Sequence, residues 1–222
     1  MTAALGCRLS ALGLLLASVA SATDLNPAQR DLVDRGELAI VQHDRLGSAW
    51  PAMTIFAFID ATPEEAAAVF TDYEEQATYI PSVTKSHVSR VLDAATSEVD
   101  YAVEVPLFPD EEYTVRDHIT LDSVGVYRVD WTLVRAVSTK GTVGHAQFSR
   151  YTNRRTGRVG TLLEYHNFVT PGSRLAGVGF VRTRAIRQMS LTVQAVARHV
   201  ESEREKPEMV RRLTTLRAAV RH

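Results

Sequence analysis

The chain is 222 residues long, 45% hydrophobic and 23% charged, with a formal net charge of −1 and a mean hydropathy of −0.09, which suits one globular domain with a substantial core. That balance excludes a global basic field for nucleic acid or anionic lipid, so function has to come from local chemistry rather than bulk electrostatics.

Met1 to Arg8 supply a weakly positive start, Leu9 to Val19 an apolar run, and Ala20-Ser21-Ala22 a small-residue cleavage site before Thr23. This is the pattern of a signal peptide over 1–22, and it predicts export, most naturally to a bacterial periplasm. The run is too short to span a bilayer, and no later segment offers about 18 uninterrupted apolar residues. Cys7 is the only cysteine and leaves with the signal. The mature chain then has no thiol, no disulfide and no thiolate metal site.

Residues 23–37 read as a helical lead-in, with Asn26 as the cap before Pro27 and a charged helix from there towards Leu38. The main domain is expected over 38–204. Ala39 to Arg45 and Met53 to Asp60 read as its first strands. A helix start follows: Thr62 can cap, Pro63 suits the first helical position, and Glu65 completes the box ahead of Ala66, Val69 and Phe70. A second helical piece, Tyr73 to Ile80, ends at Pro81.

From Val83 the apolar period is two. Val83 to Leu92 and Glu98 to Val105 form a hairpin whose second strand carries Tyr101 and Val103 on a dry face. Pro106-Leu107-Phe108-Pro109 then breaks the ladder. In the next hairpin Tyr113, Val115, Ile119 and Leu121 share one face, as do Tyr127, Val129, Trp131 and Leu133. A three-residue loop Ser123-Val124-Gly125 puts both sets on the same side, with Gly125 free to take positive φ. A two-residue turn would place them on opposite sides, which one buried face forbids. Asp117 therefore falls opposite Trp131, on the dry face. In the last hairpin, with its turn centred on Arg155-Thr156, Ala146 faces Tyr165 and Phe148 faces Leu163. The other face pairs His145 with His166 and Gln147 with Glu164.

A long amphipathic helix is expected near 175–204. Leu175, Val178, Ile186, Met189, Val193, Val196, Ala197 and Val200 fall within one stripe, while Arg184, Arg187, Gln194 and Arg198 lie outside it. Arg182 projects from the stripe's centre if the helix already runs there. A buried guanidinium needs a carboxylate or an anionic ligand headgroup, and Asp117 is the acid on the dry face. A helix start after Arg182 would instead leave it in solvent. Residues 205–222 read as a charged tail or a short peripheral helix.

The chain carries no paired-His metalloprotease motif, no phosphate-cradling glycine loop and no nucleophile elbow. His145 and His166 with Glu164 could ligate zinc, but a cross-strand pair on a non-core face reads first as surface, so no metal and no cofactor is expected. Asp117 beside Tyr101 is the one candidate acid–base group, against a structural role in a salt bridge. The aromatic row Tyr101, Tyr113, Tyr127, Trp131, Phe148 and Tyr165 fits a packed core and a ligand cavity equally.

Three stretches carry a resemblance: Ala61-Thr62-Pro63-Glu64-Glu65-Ala66-Ala67-Ala68-Val69-Phe70-Thr71-Asp72-Tyr73 through Tyr79-Ile80-Pro81; Val105-Pro106-Leu107-Phe108-Pro109 with Tyr113-Thr114-Val115-Arg116; and Thr170-Pro171-Gly172-Ser173-Arg174-Leu175. Over about residues 38–204 the chain resembles the START-like superfamily. The resemblance implies an α+β helix-grip fold: a curved antiparallel sheet wrapped around a long C-terminal helix, with a short helical pair after the first strand. It also implies an apolar small-molecule ligand, of lipid, sterol-like or isoprenoid type, held between sheet and helix. The family shares no catalytic residue set, so none is carried over. The expected ligand wall comprises Tyr101, Val103, Tyr113, Val115, Asp117, Tyr127, Trp131, Phe148, Tyr165, Arg182, Met189 and Val193, with release through movement of the closing helix or of the Pro106–Glu111 loop. Two other readings stay open: a cyclase or dehydratase using Asp117 and a tyrosine, and an accessory factor that binds another protein, the cavity being filled. No nucleic-acid partner is expected, and ligand exchange would involve transient contact with a membrane or a partner protein.

Overall fold

The computed structural model describes residues 25–46, 48, 50–104, 110–172 and 179–221, with Phe180, Val181 and Arg182 described in backbone only. The signal peptide expected over 1–22 lies outside them, as do residues 105–109 of the proline-broken loop and Leu175 and Val178 of the helical stripe.

The chain runs α1 (Pro27–Asp34), β1 (Ala39–His43), β2 (Ala52–Ile59), α2 (Pro63–Phe70), a 3-10 turn (Tyr73–Glu75), α3 (Gln76–Tyr79), β3 (Val83–Val91), β4 (Thr96–Val103), β5 (Glu111–Leu121), β6 (Tyr127–Ala136), β7 (Gly141–Thr152), β8 (Val159–Thr170), α4 (Gly179–Glu203) and α5 (Glu208–Ala219). The eight strands form one antiparallel sheet in the order β1-β2-β8-β7-β6-β5-β4-β3. The helical pair follows β2, and α4 lies against β2, α2 and α3. This is the helix-grip arrangement.

Local chemistry sets the element ends. Asn26 and Gln29 form a reciprocal capping box on α1 with Pro27 in its first turn, and Thr62 and Glu65 do the same on α2 ahead of Pro63. Each box satisfies two of the amide groups that a helix start leaves unbonded. Between β5 and β6, Gly125 has φ +84° and Asp122 N–H donates to Val126 O, which leaves a three-residue loop. Asp117 consequently pairs with Trp131, and across β7 and β8 Ala146 pairs with Tyr165 and His145 with His166.

The core divides by face. On the concave side Met53, Ile55, Ile59, Val99, Val129, Phe148 and Leu163 pack with Val69, Val193, Val196 and Val200 from the helices. On the convex side a smaller cluster, built on Val33, Phe56, Tyr151 and Leu162, seats α1. There Asp34 accepts a 2.7 Å bond from Tyr151 Oη.

The region after 205 is a docked helix rather than a tail. Met209 and Leu216 of α5 are buried in the concave core. Arg212, 5% exposed, donates to Asp72 at 2.7 Å and to Glu203 at 2.8 Å, while Arg217 forks onto Glu64 of α2. Five-donor guanidinium groups suit such two-carboxylate bridges. Asp72 keeps Arg211 and Glu203 keeps Lys206 when Arg212 is removed, so Arg212→Ala, which takes out the buried link between the two acids, should lower the unfolding free energy by roughly 2 kcal/mol, read as a shifted urea midpoint with an unchanged slope.

Candidate functional site

The helices do not fill the concave face evenly. At one end Phe148 meets the Phe70 ring at 5.5 Å and Leu163 and Val193 are fully buried. The other end is hollow: a cavity of about 580 Å³ lies between β3–β8, α3 and α4. Its volume falls within the ordinary range for small-molecule sites.

Strand alternation decides what faces it. Tyr101 and Val103 of β4, Tyr113, Val115 and Asp117 of β5, Trp131 of β6 and Tyr165 of β8 all line the cavity, and Met189 of α4 closes over them. These are eight of the twelve expected wall residues. Tyr127, Phe148 and Val193 are not among the lining residues. They sit further along, where α2 and α4 pack onto the sheet and α5 packs onto α2, and serve as core. Arg182 falls within α4, which begins at Gly179, so a helix start after Arg182 is ruled out. Its expected partnership with Asp117 concerns a side chain outside the described part of the structure.

The sequence reading missed polar contributors. Gln76 of α3, Thr142 of β7, Asn167 of β8 and Gln188 of α4 also line the cavity. The alternation of β8 contains the signal for Asn167, since it shares a face with Tyr165 and Leu163. Gln76 and Gln188 depend on how the helices dock. Gln76 Oε1 accepts from Tyr101 Oη at 2.7 Å, and Gln188 Nε2 donates to Pro81 O at 2.9 Å, joining α4 to the end of α3. Near the mouth, Glu111 accepts from the backbone amides of Ser138 and Thr139 and so pins the β6–β7 turn.

Asp117 is the electrostatic anomaly. It is 5% exposed, and its Oδ2 is buried without a hydrogen-bond partner among the described residues. Burial alone pushes its carboxyl up to about 7, because desolvation penalises the charged form. Tyr73, Tyr101, Tyr113 and Tyr165 surround it closely enough for its charge to add to the burial that raises each phenol. Tyr101 and Tyr113 are stacked at 5.4 Å. The cavity is thus a largely apolar, aromatic chamber in which Asp117 is the acid held towards neutrality, while Glu104, Asp110, Glu111 and Arg184 also line it.

The His145–His166 pair lies on the opposite, convex face. The rings stack at 5.2 Å, His145 Nε2 is 3.3 Å from Glu164, and His166 Nδ1 is 2.9 Å from Thr54 Oγ1. Among the described residues no three metal-ligating side chains converge.

No protein-family model matches the chain, nor does any curated protein sequence. Solved structures do. A STAR-related lipid transfer protein from Xanthomonas axonopodis superposes with a TM-score of 0.63 at 13% identity, over 73% of this chain and 93% of its own. Human StAR-related lipid transfer protein 5 gives 0.61 at 12%, over 76% and 84%. The Zhui aromatase/cyclase from Streptomyces sp. R1128 gives 0.51 at 17%, over 76% and 97%. At these identities the likeness is one of fold, and the fold is START-like.

The state of Asp117 has a measurable consequence. In the unfolded chain this carboxyl ionises near pH 4, whereas the folded protein holds the proton to about pH 7. Between those values only the unfolded state has lost its proton, so Asp117 lowers stability as pH rises and the penalty is complete above the folded value. Asp117→Asn has no such proton. The stability of wild type minus that of the variant should therefore fall by up to about 1.4 kcal/mol per pH unit between about pH 4 and 7, as measured by parallel denaturation series. A difference that stays flat across the window would show that Asp117 is charged in the folded protein.

Proposed function

We propose that the protein is exported and that it sequesters or carries an apolar small molecule, of lipid, sterol-like or isoprenoid type, between the sheet and α4. The observation that carries this reading is the unfilled aromatic cavity of about 580 Å³ between the sheet, α3 and α4 of an otherwise tightly packed cradle. An apolar ligand that loses roughly 300 Å² of surface to this wall gains about 7 kcal/mol, which sets a ceiling near low-micromolar affinity from which ordering costs subtract. Met189, flexible and polarisable, suits a wall that must adapt to shape. Release requires α4 to part from α3 at the Gln188–Pro81 bond, during transient contact with a membrane surface or a partner protein. Among the described residues no helix is long and apolar enough to cross a membrane.

One observation favours a second reading. The hydroxyls of Tyr73, Tyr113 and Tyr165 make no hydrogen bond to described residues, and Asp117 titrates near neutrality. Such a set could move protons on a polyketide-like substrate in a cyclase or dehydratase reaction. Asp117→Asn separates the two: a carrier keeps its ligand, whereas an enzyme keeps the ligand and loses turnover.

Native mass spectrometry of the protein recovered from its export compartment, followed by organic extraction, tests the principal reading. A discrete apolar adduct is expected, with a mature chain starting at Thr23. Met189→Trp, which intrudes on the cavity without filling it, should weaken retention of the adduct. A protein that emerges empty and takes up no hydrophobic probe would sink the carrier reading.

A further inference from the structure

The deep row of the concave sheet runs Asp117, Trp131, Gly144, Asn167 and Met53 across β5, β6, β7, β8 and β2. Gly144 is the gap in that row. A Cβ placed there would come within 2.6 Å of Trp131 Cζ2 and closer still to the backbone oxygen of His166. Because it is absent, the Trp131 indole lies down over β7 instead of standing into the cavity. Its Nε1–H then reaches past Gly144 to Asn167, 3.3 Å away.

This contact fixes the orientation of the Asn167 carboxamide. Indole nitrogen only donates, so the atom facing it has to be Oδ1. Thr142 Oγ1 donates to the same oxygen at 3.2 Å, and both of its lone pairs are engaged. Nδ2 is what remains. Its sole neighbour among the described residues is Met189 Sδ at 4.0 Å, a weak acceptor at the limit of contact. An amide NH₂ with donors unspent against an apolar, largely desolvated wall is costly.

We propose that Asn167 Nδ2 is the ligand's polar anchor and that the ligand carries a carbonyl-type oxygen, as in a ketone, ester or quinone, on an otherwise apolar body. The carboxamide offers a donor and no free acceptor. A carbonyl oxygen is fully satisfied by that arrangement, whereas a ligand hydroxyl would bring a proton that Oδ1 has no lone pair left to take. Trp131 acts as a positioning residue, and Gly144 is the position that lets it do so.

The inference rests on the cavity being a ligand site, and the experiment separates the two. The probes are 6-propionyl-2-(dimethylamino)naphthalene, an aryl ketone whose emission moves to the red when its carbonyl accepts a hydrogen bond, and 2-(dimethylamino)naphthalene, which lacks the carbonyl. Wild type should bind the ketone more tightly, with red-shifted emission. Asn167→Leu should lower ketone affinity about tenfold, the worth of one hydrogen bond in such a site, and blue-shift the emission, leaving the parent amine's affinity unchanged. Trp131→Phe keeps the ring, removes the N–H and frees the carboxamide to flip, so it should reproduce a smaller part of both effects. It also provides the test if Asn167→Leu fails to fold. If both probes bind and neither variant distinguishes them, Asn167 is not the anchor and the cavity reading survives. If neither probe binds wild type, the cavity reading falls and the anchor with it.

Discussion

Eight strands spaced about 4.8 Å apart make a sheet far wider than the roughly 10 Å girth of one helix, so α4 alone cannot dry the concave face. Everything else in the molecule follows from how that mismatch is handled. At one end the chain adds cover: α2 packs beside α4 and α5 against α2, and Phe70, Phe148, Leu163 and Val193 interlock beneath them. At the other end α3 and α4 span the sheet without filling the space beneath them. The same alternating strands continue there, and their dry face becomes the wall of a chamber.

That division explains which parts of the architecture could be read from residues alone. Strand register follows from period and turn length, both local, so the pairing of Asp117 with Trp131 and of Ala146 with Tyr165 needed no knowledge of the rest of the fold. The boundary between filled and hollow is a tertiary matter. Tyr127, Phe148 and Val193 have the same local pattern as Tyr113, Trp131 and Met189, and only the docking of α2 and α5 distinguishes them. Helix α5 itself was hard to see because its apolar contacts, Met209 and Leu216, are few, and its attachment depends on Arg212 and Arg217 meeting acids far away in sequence. Charged residues in a short C-terminal segment look solvated until their partners are known.

The cavity's polar groups also differ in kind from its fold. The sheet and grip are shared with lipid-transfer proteins and with an aromatase/cyclase at identities of 12–17%, and such a scaffold leaves the chemistry inside open. Here that chemistry includes an acid whose Oδ2 has no partner among the described residues, tyrosines that line the void and an amide held by an indole. Burial makes each of these consequential, since in a low-dielectric chamber an unmet donor or an uncompensated charge costs more than it would at the surface.

The clasp between α5 and the first helical pair has a temporal meaning as well. Arg212 and Asp72 are 140 positions apart, and Arg217 and Glu64 are 153 apart. A chain that emerges from its N-terminus has made α2 long before α5 exists to pack against it. That side of α2 then waits for residues some 140 positions downstream, although β6 to β8 and α4 meet the rest of the helix earlier. Contacts of such separation form slowly because the loop entropy is lost before they give anything back. The clasp therefore sets only after the sheet and α4 are already in place.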